Sequence, residues 1–375
     1  MILKKNIYSL SIFFCLLAIP FAYYSFLEIR LLPIFILLSF VCVAICGITF
    51  KLNASMLLYL AFACYCLIIS IFSSTLNVFF ALLIFYWLAY WPMHIKEEFI
   101  AALDVRKLIV TFVLLGFFSA LGLFIQIIAY KFWGIEFGKM DFEGNREAFG
   151  FMWNDYSFLS LFFASLIPLV WYLHFSFLFR VFICLIFIAA SVLTSARTGF
   201  MAFVLAIAVF FIIDVSASLL RGKLRKALLF FLLFIFLVFP IAIFWLITAF
   251  PRLASLSGSG RLEGYISAFQ FLDGNLLFGS KFDTSAYVDG VDVIPHNMFI
   301  YMLSMGGLFF VLLFCFWGVV TARQILKLKI EKITLSLLVS LFGFQLIPSF
   351  FSAYYFAFFI AICFIFIKKN GMSKK

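Results

Sequence analysis

Apolar runs of about twenty residues follow one another from residue 6 to residue 367, and most of the polar breaks between them are short. A helix rises about 1.5 Å per residue, so a run of that length spans the hydrocarbon of a bilayer while satisfying its own backbone hydrogen bonds. Composition leaves little alternative. Charged residues are 11% of the chain and apolar residues 67%, with 59 phenylalanines. A soluble domain carries roughly 25% charged residues to solvate its surface. A chain this apolar must rest most of its surface in hydrocarbon rather than hide it in a single core.

Walking along the chain, we place spans at 6–27, 31–50, 54–72, 76–93, 108–130, 156–179, 181–195, 199–220, 227–250, 298–320, 333–347 and 351–367. The expected fold is therefore an all-α polytopic membrane protein with about 12 transmembrane helices. Five regions follow: N-terminal helices (1–130), a first outer loop (131–155), central helices (156–250), a large outer loop (251–296), and C-terminal helices with a basic tail (297–375). The first apolar stretch holds Pro20 and bulky aromatics with no small-residue cleavage site, so it reads as a retained span. All eight cysteines fall inside apolar runs, which reads as small hydrophobes rather than a disulfide framework or metal site.

Charge tests the topology. With the N-terminus on the inner side, 19 of the 27 basic residues fall on that side, from Lys4 and Lys5 through Arg106, Lys107 and Arg323 to Lys374 and Lys375. The outer side receives Arg30, Lys131, Lys139, Arg146, Arg197, Arg252, Arg261 and Lys281, together with most of the carboxylates. The net charge of +11 is thus a topology signal, and short clusters beside spans give no surface for nucleic acid.

Polar residues of another kind gather on the outer side. Arg197 lies in Ser195-Ala196-Arg197-Thr198-Gly199, at the turn of an apolar hairpin, where a cation is costly unless it faces protein or water. Arg261 opens a segment whose Leu262, Tyr265, Ile266, Phe269 and Leu272 are spaced for one face of a helix, with Glu263, Ser267 and Gln270 opposite. His296 and Asn297 stand at the mouth of a span, and Arg146 precedes Asn154 and Asp155 at the mouth of another. Each has a plainer reading: a snorkelling arginine, a capping Asp155, a hydrogen-bonding histidine. Together they offer what a lipid diphosphate needs, namely guanidinium groups for phosphate oxygens and a His or carboxylate for a hydroxyl proton. No Asp-x-Asp pair is present to hold a metal, which favours a metal-free reaction without a cofactor.

These stretches resemble the O-antigen polymerase and O-antigen ligase superfamily. The resemblance rests on Arg146 with Trp153-Asn154-Asp155-Tyr156, on Ser195-Ala196-Arg197-Thr198-Gly199, on Gly260-Arg261-Leu262-Glu263-Gly264-Tyr265 running to Gly279, and on His296-Asn297-Met298 ending at Gly306-Gly307. It departs where Lys281 stands at a position at which glycine is common. The resemblance implies a GT-C-like glycosyltransferase of the bacterial inner membrane, with both termini cytoplasmic and the large loops periplasmic. Its partners would be polyprenyl-diphosphate-linked oligosaccharides as donor and acceptor, membrane lipid, and a chain-length regulator. Arg197 and Arg261 would bind and stabilise the leaving diphosphate, and His296 would orient or deprotonate the acceptor hydroxyl. Arg146, Asn154, Asp155, Asn297 and Glu263 would line the substrate cavity. A ligase that moves the finished chain onto lipid A-core shares these motifs. A repeat-unit flippase would instead require internal symmetry and charges at mid-membrane.

Overall fold

The computed structural model describes residues 2–22, 25–26, 29–49, 52–73, 75–142, 147–153, 155–196, 198–220, 261–272, 274–283 and 295–372. In chain order the elements are α1 (Ile2–Ala18), β1 (Ser25–Phe26), β2 (Ile29–Arg30), α2 (Leu31–Cys46), α3 (Ala54–Ser73), α4 (Asn77–His94), α5 (Glu97–Ala102) and α6 (Val105–Trp133). They continue with β3 (Lys139–Asp141), β4 (Ala148–Phe151), α7 (Tyr156–Tyr172), α8 (Phe177–Leu193), α9 (Thr198–Leu220), α10 (Arg261–Phe271), α11 (Met298–Leu326), α12 (Glu331–Gly343) and α13 (Tyr354–Met372). The strands form two separate antiparallel hairpins, β1 with β2 and β3 with β4.

Among the described residues, four helices are long and apolar enough to cross a membrane: Ala54–Phe72, Val105–Trp133, Met298–Leu326 and Tyr354–Met372. Shorter apolar helices stand beside them, among them Leu31–Cys46, Tyr156–Tyr172 and Phe177–Leu193. A helix lies over every expected span except 227–250, which falls outside the described residues.

Boundaries differ from expectation in three places, each for a local reason. The first helix stops at Ala18 rather than near 27, just ahead of Pro20, which brings no N–H to the ladder. The break after α7 falls at 173–176, not at Arg180, because Ser176 accepts a hydrogen bond from Phe179 N and caps α8. Arg180 therefore sits in the first turn of α8, its guanidinium 5.0 Å from the centre of the Trp171 ring. His174 lies in this connection and is exposed rather than deep within a span. Between α4 and α6 the chain forms the short helix α5, with Glu97 and Glu98 in its first turn.

The core is aromatic. Tyr59 stacks on Phe85 at 5.7 Å, and Phe62 stacks on Phe310 at 4.2 Å. Trp317 stacks on Phe350 at 5.6 Å, so α3, α4 and α11 share one ring-packed seam with the 344–353 segment. Hydroxyls threaded through it are satisfied by one another: Ser55 bonds both Tyr90 and Thr321 at 2.6 Å, and Trp317 donates to Tyr90 at 2.7 Å.

One end of the bundle gathers basic residues. Lys368 donates to the carbonyls of Pro92 at 3.0 Å, Met93 at 3.3 Å, and Ile95. It thereby caps the C-terminus of α4, where the helix dipole favours a cation. Lys369 reaches the carbonyl of Ala101 at 3.2 Å, and Cys46 reaches that of Lys4 at 3.6 Å. Asp155, His296 and Asn297 lie at the other end, on the helix starts of α7 and α11.

Candidate functional site

Asp155 is the residue before α7, and its Oδ1 accepts from the amides of Ser157 at 2.7 Å and Phe158 at 3.2 Å. The plainer reading of this carboxylate, an N-cap, is what the geometry contains. Its approach is fixed by Trp153, buried and stacked on Phe162 at 5.3 Å, and the carboxylate lies within electrostatic reach of the Tyr355 hydroxyl at the start of α13. One turn into α7, Ser160 holds the 194–199 turn. Its Oγ accepts from Gly199 N at 3.2 Å, and lies 3.2 Å from the Ala196 carbonyl and 2.8 Å from Ser191 Oγ. Gly199 is required here, since a Cβ would lie 2.2 Å from the Ser160 carbonyl oxygen. Ala196 is buried in a small cluster with Tyr156 and Ala148. So the segments flanking Arg146, Asp155 and Arg197 meet.

The segment that follows α6 is tied down by Gln126, fully buried in that helix. Its Nε2 donates to the carbonyls of Phe137 at 2.5 Å and Lys139 at 3.1 Å, while its Oε1 accepts from Phe151 N at 2.8 Å. Lys131 and Glu147 add an ion pair at the exposed rim.

A second group forms around α10 and α11. The helix Arg261–Phe271 coincides with the expected amphipathic segment. Its buried face is Ala268 and Leu272, whereas Ile266 (49% exposed) and Phe269 (57%) face outward. Tyr265, one turn beyond Arg261, donates to the backbone carbonyl of His296 at 3.2 Å. That bond ties the helix opened by Arg261 to the histidine. Asn297 caps α11, with Oδ1 accepting from Phe299 N at 3.0 Å and Ile300 N at 3.2 Å. Its Nδ2 donates to Gln345 Oε1 at 3.2 Å.

The 274–283 loop joins this group by inserting into a break in α11. Gly307 (φ 73°, ψ −175°) interrupts the helix, and the freed carbonyls of Ser304 and Met305 accept from Ser280 N at 2.8 Å and Phe282 N at 2.9 Å. Leu308 N donates back to the Leu276 carbonyl at 2.9 Å. Tyr65 closes the break by donating to the Gly306 carbonyl at 2.8 Å. Gly307 is therefore needed for the close approach of two backbones, since a Cβ on it would lie 2.1 Å from the Leu277 carbonyl oxygen.

Helix α12 connects the two groups. Its C-terminal end receives Met298 N on the Phe344 carbonyl at 2.9 Å. Its body packs on α7, with Ser340 and Ser165 hydroxyls 3.0 Å apart and Gly343 against Leu161, next to Ser160. The N-termini of α7, α9 and α11 are thus brought to one end of the bundle, with α10 docked beside them. Aligned peptide dipoles make such an end favourable to an anion, although Asp155 and Asn297 already cap two of the three.

Of the expected site residues, Asp155, His296 and Asn297 are described with their side chains, and His296 and Asn297 are partly exposed. Arg261 and Glu263 are placed in the first turn of α10. Arg146, Asn154, Arg197 and the side chains of Arg261 and Glu263 lie outside the described residues. Sequence reasoning missed Ser160, Gln126, Tyr265 and Gln345 as organisers. Gln126 carried a signal, as a lone amide inside an apolar span. Cavities of about 480 and 820 Å³ lie elsewhere, and none of the expected site residues lines either. Compared with protein-family models and with curated proteins, the chain matches none.

Proposed function

We propose that this chain is a membrane glycosyltransferase of the O-antigen polymerase type, with about 12 transmembrane helices and a GT-C-like arrangement. It moves the growing glycan from polyprenyl diphosphate to the next lipid-linked repeat unit at the periplasmic face of the bacterial inner membrane. The observation that carries the reading is the meeting, at one end of the bundle, of the segments that hold Asp155, Arg197, Arg261 and His296. Those segments are far apart in the chain, and ordinary bundle packing does not require that they share helix N-termini and capping networks.

In this reading the acceptor hydroxyl attacks the anomeric carbon of the donor sugar. The bond from that carbon to the diphosphate oxygen breaks, polyprenyl diphosphate departs, and the hydroxyl proton passes to His296. Arg197 and Arg261 neutralise the charge that grows on the departing diphosphate. Asp155 and Asn297, both helix caps, keep the helix mouths rigid while Glu263, Arg146 and Asn154 contact sugar.

Replacing Arg197 or Arg261 by Ala is expected to lower the polymerisation rate on the order of a hundredfold or more. The readout is the length ladder of surface polysaccharide on a gel, at matched protein levels, in a strain carrying each variant. Normal ladders in both variants would end the assignment. Deleting the gene separates the polymerase from the ligase: core bearing a single repeat unit means polymerase, and bare core with polymer held on the lipid carrier means ligase.

A further inference from the structure

The basic end of the bundle carries a cleft that none of the expected site residues lines. It has a volume of about 480 Å³ and lies between α1, the α4–α5 connection and the start of α6. Its composition is layered. At the mouth stand Ser9, Asp104 and Lys107; below them lie Ile12, Phe13 and Leu16 of α1, facing Leu108 of α6. Ser9 to Leu16 is two turns of helix, about 10 Å of depth. Trp91, from α4, forms part of the wall; it is fully buried, and its indole N–H has no hydrogen-bond partner among the described residues.

The charges at the mouth are of both signs. Asp104 uses Oδ1 to cap α6, accepting from Arg106 N at 3.0 Å and Lys107 N at 3.1 Å, which leaves Oδ2 for an outside donor. Lys107 stands one turn on and is exposed, with no ion pair among the described residues. Beside an apolar slot at the end of a membrane bundle, this pair matches one kind of headgroup. A phosphate meets the Lys107 ammonium, and a primary ammonium donates to Asp104.

We infer that this cleft binds one phospholipid with a phosphoethanolamine headgroup, the headgroup on Lys107 and Asp104 and one acyl chain along Ile12, Phe13 and Leu16. A choline headgroup fits less well, because its quaternary nitrogen has no proton to donate to Asp104. An anionic glycerol headgroup brings no cation to that carboxylate. The inference depends on the chain being a membrane protein, not on the reaction proposed above.

The test uses the full chain purified in a neutral detergent, with bound lipid read by native mass spectrometry. Synthetic phosphatidylethanolamine, phosphatidylglycerol and phosphatidylcholine are then titrated in. The expected result is one retained phosphatidylethanolamine, bound roughly tenfold more tightly than the other two. Lys107→Gln should weaken it, while Lys332→Gln, an exposed lysine of the basic end, should not. Thermal unfolding of lipid-free samples identifies any variant whose loss reflects misfolding; Lys107→Gln alters an exposed side chain and remains decisive. Equal binding of phosphatidylglycerol, retained lipid that mirrors the membrane, or unchanged binding by Lys107→Gln would each overturn the inference.

Discussion

Lys281 sits at φ 59° and the next residue, Phe282, at φ 66°. Left-handed backbone costs a residue with a Cβ about 1–2 kcal/mol, so two in succession need support from their surroundings. The support is visible: Phe282 is buried with its ring 4.9 Å from that of Phe310, and its amide is held by the Met305 carbonyl. Lys281 is exposed. The backbone angle at 281 is one that favours glycine. Lys281→Gly should therefore raise stability by about 0.5–1 kcal/mol, the relief of strain being partly offset by the freedom glycine gains when unfolded. Lys281→Val should lower it. The midpoint of thermal unfolding in detergent reads both, and a glycine variant that melts earlier would show that position 281 is not strained. Ser195, at φ 62°, occupies the same backbone region where α8 ends, at the position glycine usually takes, two residues before Arg197.

At the scale of elements, the segments between helices are positioned by a few polar side chains that reach out of apolar helices. Gln126 makes three of these contacts alone, to Phe137, Lys139 and Phe151. Gln126→Leu keeps α6 apolar and helical but leaves two carbonyls and one amide of the β3–β4 segment without their partner. The loss should be about 2–3 kcal/mol, localised to that loop. Hydrogen exchange would show it as faster exchange over 134–153 with α6 protected as before; uniform loosening would mean that Gln126 supports the bundle instead. This dependence marks the limit of what the sequence displays. Apolar runs locate helices because hydrocarbon selects for them, and the spacing of Tyr265, Ile266, Phe269 and Leu272 is enough to find α10. The break at 173–176 is half hidden because Leu173 and Phe175 continue the apolar run, and only His174 and Ser176 mark it. The insertion of 276–282 into α11 joins residues about thirty apart through backbone atoms, which no side-chain pattern records. The candidate site residues stood out as motifs; of the side chains that join their segments, Ser160 and Gln345 had no pattern of their own, and Tyr265 showed only as one apolar position of α10.

For the whole molecule, the two ends of the bundle differ in kind, and the difference follows from the cost of charge in hydrocarbon. A charged side chain at mid-bilayer costs about 2.5–3.5 kcal/mol by insertion scales, so charges collect at the ends of spans. Here Lys4, Lys96, Lys368 and Lys369 pack around the ends of α2, α4 and α5. The turns flanking Asp155, Arg197, His296 and Lys281 lie at the other end. A positive end faces the cytoplasm in most helical membrane proteins, which would set the candidate site toward the compartment where lipid-linked sugars are delivered. This orientation is testable without reference to any reaction. In a background with the native cysteines replaced, a membrane-impermeant maleimide applied to intact spheroplasts should label Lys281→Cys and spare Lys332→Cys until the membrane is opened. Both positions are exposed, so accessibility across the membrane decides the result. The reverse pattern would put the 274–283 loop and the arginine-bearing turns in the cytoplasm. Nucleotide-activated sugars would then be the available donors, and a lipid-diphosphate mechanism would lose its reason to require two arginines at that end.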